Sequence, residues 1–256
     1  MNYKHASALA LSAALLATPV AADGLLHWTD TSLSYLYGTN YAVNPPIQQT
    51  VTFEHASGWA FGDLFTFVDY AEFNGQEDFL TGDSAYYGEF SPRLSIGKIF
   101  NAEFKGPLFS DVLLATTYEF GEGDVETLLV GPGFDLKIPG FDFFQLNVYK
   151  RFPRDGRDGE TIQITPVWSM TFPAGNSDII FDGFIDWNVD SDGSYKSNLH
   201  FNPQLKYDVS KAIGWKAKRV LVGTEYSYWS NKYGVKDSKA FNTDQSVFSL
   251  ILKSHF

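Results

Sequence analysis

The sequence predicts an all-β protein: a transmembrane antiparallel up-and-down β-barrel of about 12 strands. Three observations point there. Apolar residues recur with period 2 along most of the chain, and clusters of Gly, Pro, Asn, Asp and Ser interrupt them at short intervals, as in a chain of hairpins. Beyond the N-terminus there is no run of about 18 apolar residues long enough for a spanning helix. Aromatic residues make up 17% of the chain, which suits strands and the two aromatic girdles of a membrane barrel. A soluble β-sandwich shares the first and third features. A chain that crosses a membrane without an apolar helix must close its sheet, because every backbone N–H and C=O needs a partner in hydrocarbon.

The first element to justify is the N-terminus. Lys4 and His5 open it, a small apolar run follows over residues 6–17, and Val20-Ala21-Ala22 places small residues before Asp23. This is the pattern of a secretory signal over residues 1–22, with the barrel over 23–256. A membrane anchor needs about 20 apolar residues, and this run is shorter and ends at Pro19.

Strands are expected, in order, at 28–37, 48–56, 60–70, 86–97, 110–121, 126–137, 142–151, 160–172, 179–189, 197–208, 218–230 and 245–256. An even number brings both termini to the periplasmic side. The long connections at 71–85 and 231–244 then face outward, whereas 98–109 is long but periplasmic.

Charge placement separates a membrane barrel from a sandwich. Strand 86–97 sets Tyr86, Phe90, Leu94 and Ile96 against Glu89, Ser91, Arg93 and Ser95. Strand 110–121 sets Val112, Leu114, Thr116, Tyr118 and Phe120 against Asp111, Thr117 and Glu119. The alternation continues through Ile162, Ile164, Trp168, Met170 and Phe172, then Phe181, Ile185 and Trp187, then Leu199, Phe201, Leu205 and Tyr207. From residue 86 onward the one charge expected on an apolar face is Lys150, at a strand end, where a lysine snorkels. A Lys or Arg facing lipid at the midplane costs about 2–4 kcal/mol. The opposite face is too polar for a dry core and reads as a wet lumen.

Candidate site residues follow from parity. Phe65 and Phe67 share a face with Asp63 and Asp69, and the lipid penalty argues that this face turns inward. Two rings beside two carboxylates suit a solute with a π-face, for which stacking supplies ~1–3 kcal/mol, and with hydroxyls that need acceptors. The competing arrangement has both rings facing lipid, with the two aspartates at the interfaces. Glu89 and Arg93 either neutralise one another structurally or touch a solute. Tyr149, Asp182, Phe184, Asp186 and Glu225 complete the lumen candidates.

The final strand puts Phe248, Leu250, Leu252 and Phe256 on one parity, and the aromatic C-terminus resembles the signal read by the outer-membrane assembly machinery. Two further blocks carry a family resemblance: residues 61–69, Phe-Gly-Asp-Leu-Phe-Thr-Phe-Val-Asp, and residues 88–96, Gly-Glu-Phe-Ser-Pro-Arg-Leu-Ser-Ile. Both are similar to the Tsx and OmpK group of nucleoside-specific channel-forming outer-membrane proteins. Weaker likeness runs through residues 146–149, 161–173 and 183–187 and the last strand, while the first strand and the loops match poorly. The resemblance implies a monomeric twelve-stranded barrel with a narrow lumen, passing nucleosides passively across the outer membrane of a Gram-negative bacterium. Alternatives are a generic small porin, a surface receptor barrel and an outer-membrane phospholipase-type enzyme.

Other signals argue for little chemistry. The net charge is −11, and removing the first 22 residues takes one of the 19 basic residues and none of the 30 acidic ones, so nucleic acid is an unsuitable partner. With no cysteine there is no disulfide framework and no thiolate site. Asn188-x-Asp190-x-Asp192-Gly193 starts like a calcium loop, but position twelve is Leu199, where a Glu is needed. His55 and Ser57 lie two apart on one strand face, as in outer-membrane phospholipases, yet the strand is expected to end there and no orienting partner is evident. The sequence therefore implies neither a catalytic residue nor a cofactor nor a metal, and its expected partners are nucleosides or similar small solutes and outer-membrane lipid.

Overall fold

The structure is a computed structural model, and it describes residues 24–78, 81–102, 106–123, 125–154 and 156–256. The signal segment expected over residues 1–22 lies outside the described residues. Twelve antiparallel strands close on themselves: β1 (Leu26–Thr39), β2 (Ile47–Trp59), β3 (Gly62–Glu72), β4 (Ser84–Ser95), β5 (Phe109–Gly121), β6 (Val125–Leu136), β7 (Phe143–Pro153), β8 (Ile162–Ala174), β9 (Ser177–Asn188), β10 (Asn198–Asp208), β11 (Val220–Ser230) and β12 (Gln245–His255). Each strand pairs with its sequence neighbours, and β1 closes the ring on β12 from Ser32↔His255 to Gly38↔Ser249. Closure leaves no unpaired sheet edge, the condition for standing in hydrocarbon.

The expected strands all form, with ends shifted by up to three residues. The largest correction is in β2. Ser57 and Gly58, expected to turn, are strand residues paired with Thr29 and Trp28, and the chain reverses at residues 60–61. Gly58 serves close approach instead: a Cβ there would lie 2.1 Å from the Trp28 indole nitrogen. Gly183 in β9 has a similar use, with φ +152° and a Cβ position 2.4 Å from the Asn202 carbonyl oxygen.

Parity sorts the side chains as expected. Outward lie rings and aliphatic groups such as Phe248 and Leu250, 69% and 66% exposed. Trp168 is covered on that side by Phe181 and Phe201. Inward lie buried polar groups, including Arg93 at 4% and Lys206 at 2% exposure. Among the described residues from 86 onward two charges, not one, stand on the outward face. Lys150 donates from Nζ to the Glu160 carbonyl at 2.5 Å, with the Glu160 carboxylate at 3.8 Å. Glu126, at the start of β6, accepts from the Tyr118 hydroxyl at 2.9 Å. Tyr118 shares its face, so the acid sits where a girdle tyrosine can solvate it.

At the terminus end, which even-stranded outer-membrane barrels keep in the periplasm, residues 96–108 carry the short helix α1 (Ile96–Phe100) and residues 209–219 begin with α2 (Val209–Ala212). At the opposite end the connections interlock. Tyr233 donates to Asn44 at 2.8 Å, Lys196 N to the Gly234 carbonyl at 2.9 Å, and Asn231 Nδ2 to the Ser197 carbonyl at 2.9 Å. Phe73, at the start of the connection from β3 to β4, is 1% exposed.

Candidate functional site: the barrel lumen

The lumen is built from the inward parity of every strand. On β3, Asp63, Phe65, Phe67 and Asp69 face inward together, opposite Arg93, Ser91, Glu89 and Tyr87 of β4. The rings of Phe65 and Phe67 lie 5.9 Å apart, and Phe67 is 5.8 Å from Tyr87. The arrangement with both rings toward lipid is therefore not the one adopted. Six strands away around the twelve-stranded ring, and so on the opposite wall, Phe184 of β9 meets the edge of His200 of β10 at 5.1 Å. His200 in turn stacks on Trp229 of β11 at 4.0 Å and 12°. Trp229 meets Tyr233 at 5.5 Å, which carries the aromatic track up into the cap.

The inward charges divide into two groups. Among the described residues each Arg and Lys on an inward strand face is held by an acid. Arg93 makes a bidentate pair with Asp63 at 2.8 and 2.7 Å and reaches Asp135 at 3.0 Å. Arg151 holds both oxygens of Glu119, at 2.8 and 2.7 Å, and Gln163 at 2.5 Å. Lys206 binds both oxygens of Asp182, at 2.6 and 2.8 Å, and Lys253 pairs with Glu54. Such forks fix planar groups in one geometry.

The inward carboxylates of Asp69, Glu89, Asp186 and Glu225 have only neutral donors among the described residues. Asp69 accepts from Thr52 at 2.5 Å and Glu89 from the Tyr87 hydroxyl at 2.8 Å. Asp186 accepts from Thr165 and Gln163 at 2.6 and 2.8 Å, and Glu225 from Gln204 at 2.8 Å. They are spread over β3, β4, β9 and β11, beside both aromatic walls. Tyr149 lies between them on β7, with its hydroxyl 3.5 Å from that of Thr117.

All the expected lumen residues thus face inward, with two corrections of role. Arg93 does not pair with Glu89, four residues away on its own strand, but with carboxylates on β3 and β6. A cross-strand partner lies directly opposite, whereas i,i+4 neighbours on an extended strand are about 13 Å apart along the chain. Asp182 is likewise committed to Lys206. Parity also misses residues that matter. Arg151, Glu119, Lys206 and His200 stand on faces whose polarity is legible, but their pairing is not. Tyr41, Lys232 and Tyr233 are in connections, where no period exists to read.

Lys232 is the buried cation of the cap. It donates to Gln245 Oε1 at 2.7 Å and the Ala42 carbonyl at 3.1 Å, and lies 5.0 Å from the Tyr233 ring centroid. Burial pushes its ammonium down to about 7, against the pull of Asp78.

The set-aside motifs have structural partners. Asp192 accepts from Gly159 N and Glu160 N at 3.0 Å each, and Asp190 from Ile162 N at 2.7 Å, so these acids fasten one connection to the next. His55 Nδ1 bonds the Thr31 hydroxyl at 2.9 Å, and Ser57 accepts from the Trp59 indole at 2.9 Å.

The model of the nucleoside-specific channel-forming protein family, Tsx, matches residues 24–254, nearly the whole barrel. The chain belongs to this family. It is 25% identical over 181 residues to the outer membrane protein OmpK of Vibrio parahaemolyticus, covering 68% of this chain and 66% of that protein. The OmpK of the O3:K6 strain RIMD 2210633 is 25% identical over 193 residues, covering 71% and 70%. The KdgM porin shares the fold at a TM-score of 0.50 and 13% identity, over 88% of this chain and 99% of that one. The Tsx-family chain is thus an outer-membrane channel barrel, the same place and class that the two early-barrel sequence blocks imply.

Proposed function

We propose that this channel passes nucleosides by passive diffusion, selecting them in the lumen. The observation that supports the reading best is the pair of aromatic walls, Phe65, Phe67 and Tyr87 facing Phe184, His200 and Trp229, with the carboxylates of Asp69, Glu89, Asp186 and Glu225 beside them. A base stacks on an aromatic face at ~1–3 kcal/mol, and carboxylates that hold no cation retain lone pairs for ribose hydroxyls. Weak, repeated contacts of this kind let a solute leave as readily as it enters. Each Arg and Lys on an inward strand face is already paired with an acid, so the free capacity of the strand walls is for hydrogen-bond donors and not for anions.

Liposome swelling with the purified barrel separates this reading from a generic porin. Adenosine and uridine should enter faster than glucose or serine of smaller size, and uridine monophosphate should enter slowest. Equal rates ordered by size alone would make the barrel a generic small porin. Phospholipid hydrolysis that Ser57→Ala abolishes would instead make it an enzyme.

A further inference from the structure

The periplasmic connection between β10 and β11 is built unlike an ordinary turn. Its base is rigid. Asp208 and Ser210 are fully buried. Asp208 accepts from Ser210 Oγ at 2.5 Å, Lys211 N at 2.9 Å and Lys218 N at 2.6 Å, while Ser210 Oγ accepts from Arg219 N at 2.9 Å. The Asn176 amide of the neighbouring turn donates to the Ala212 carbonyl at 2.8 Å, and Lys211 pairs with Asp178 at 2.6 Å.

On this base the tip presents apolar and cationic groups together. Ile213 and Trp215 are 56% and 64% exposed, and Lys216 and Lys218 are exposed, their ammonium groups in no ion pair among the described residues. Residues 209–219 hold Lys211, Lys216, Lys218 and Arg219 and no acid, in a chain of net charge −11. At the opposite end residues 73–83 and 189–197 have the other sign, with Glu77, Asp78, Asp83, Asp190 and Asp192 against Lys196 alone, while residues 231–244 carry three lysines against two aspartates.

We propose that this projection is a docking surface for anionic phospholipid headgroups of the inner leaflet. Trp and Ile would sit at the headgroup level beside the barrel wall, where amphipathic rings partition, and the lysines would meet lipid phosphates. Charge complementarity selects this occupant, because basic residues held at a membrane surface attract anionic lipid. The apolar pair requires an interface and not bulk water, since a tip made only for solubility would not display Trp215.

Native mass spectrometry of the refolded full barrel, released from mixed phosphatidylglycerol and phosphatidylcholine vesicles, tests this. Wild type should retain phosphatidylglycerol preferentially. Lys216→Gln with Lys218→Asn should lower that preference by about fivefold per lysine. Asn suits position 218 because its φ is +63°. Heat-modifiability on gels checks that the variant is folded, and 1 M NaCl added to wild type should mimic its effect by screening. A wild type without lipid preference, or a folded variant that keeps it, overturns the proposal. So does retention of a soluble anionic glycan fragment in place of the lipid. None of these outcomes depends on what solute the lumen carries.

Discussion

The two faces of the same strands obey opposite rules. Outside, large apolar side chains stand exposed because their solvent is lipid. Inside, strand arginines and lysines lie almost wholly covered, each locked to a carboxylate one or two strands away. The outward face tolerates almost any apolar residue, so its information is only parity. The inward face is specified pair by pair, so a single substitution there strands a charge. The outer face therefore fixes assembly, and the inner face fixes what passes.

The sharpest way to break the comparison is to exchange the rules on β5. Leu114 faces outward near mid-strand and Thr117 inward, beside Ser91 and Tyr149. Leu114→Arg should cost about 2–4 kcal/mol and abolish or greatly reduce heat-modifiable folded protein. Thr117→Arg should still assemble, with lower conductance because the new side chain narrows the lumen. Assembly of Leu114→Arg alone would invert the faces and with them the whole lumen assignment.

Arg93→Ala comes next. Removing it leaves Asp63 and Asp135 facing each other without their shared cation. Breaking a fully buried pair costs about 3–5 kcal/mol. Both carboxylates keep about a quarter of their surface exposed, so about 2 kcal/mol is expected, read by urea titration of folding into liposomes. Stability equal to wild type would mean that the fork contributes position and not energy.

How much of this was legible in the sequence depends on the face. Period 2 and the lipid penalty place Phe65, Phe67, Asp69, Glu89 and Asp186 inward before any coordinates exist. Pairing is another matter. Arg93 and Asp135 are 42 residues apart, and only barrel register brings β3, β4 and β6 together. Gly58 misleads for a physical reason: glycine marks turns and close approaches alike, and the Trp28 indole that explains it lies on another strand. The cap, where Lys232 Nζ lies 5.8 and 5.0 Å from the ring centroids of Tyr41 and Tyr233, has no periodicity, so its contacts are readable only in three dimensions.

A smaller effect concerns that cap. Lys232 titrates at about 7 in the closed cap and near its ordinary 10.5 when released. Between those values the open state binds the extra proton, so raising pH across this window favours closure, and below 7 the burial penalty is fully present. Cleavage of residues 231–244 by added protease, normalised to an unfolded control, should be slower at pH 9 than at pH 6. Lys232→Met should remove the difference, and faster cleavage at pH 9 would contradict the assignment. The smallest effect belongs to the outward face: Lys150→Gln loses a partly exposed pair with Glu160 and should change stability by less than about 1 kcal/mol.

The central claim is that nucleosides are selected on the inward aromatic walls. Single-channel recording of the refolded barrel, with adenosine added to the salt solution, tests it most directly when wild type is compared with Phe65→Ala/Phe67→Ala. Adenosine should reduce the ionic current of wild type. In the double variant the blocking concentration should rise about tenfold for each 1.4 kcal/mol of stacking lost, while conductance without solute stays level or rises. Unchanged block in a well-folded double variant would remove this wall from the site, and no block of wild type by any nucleoside would contradict the account as a whole.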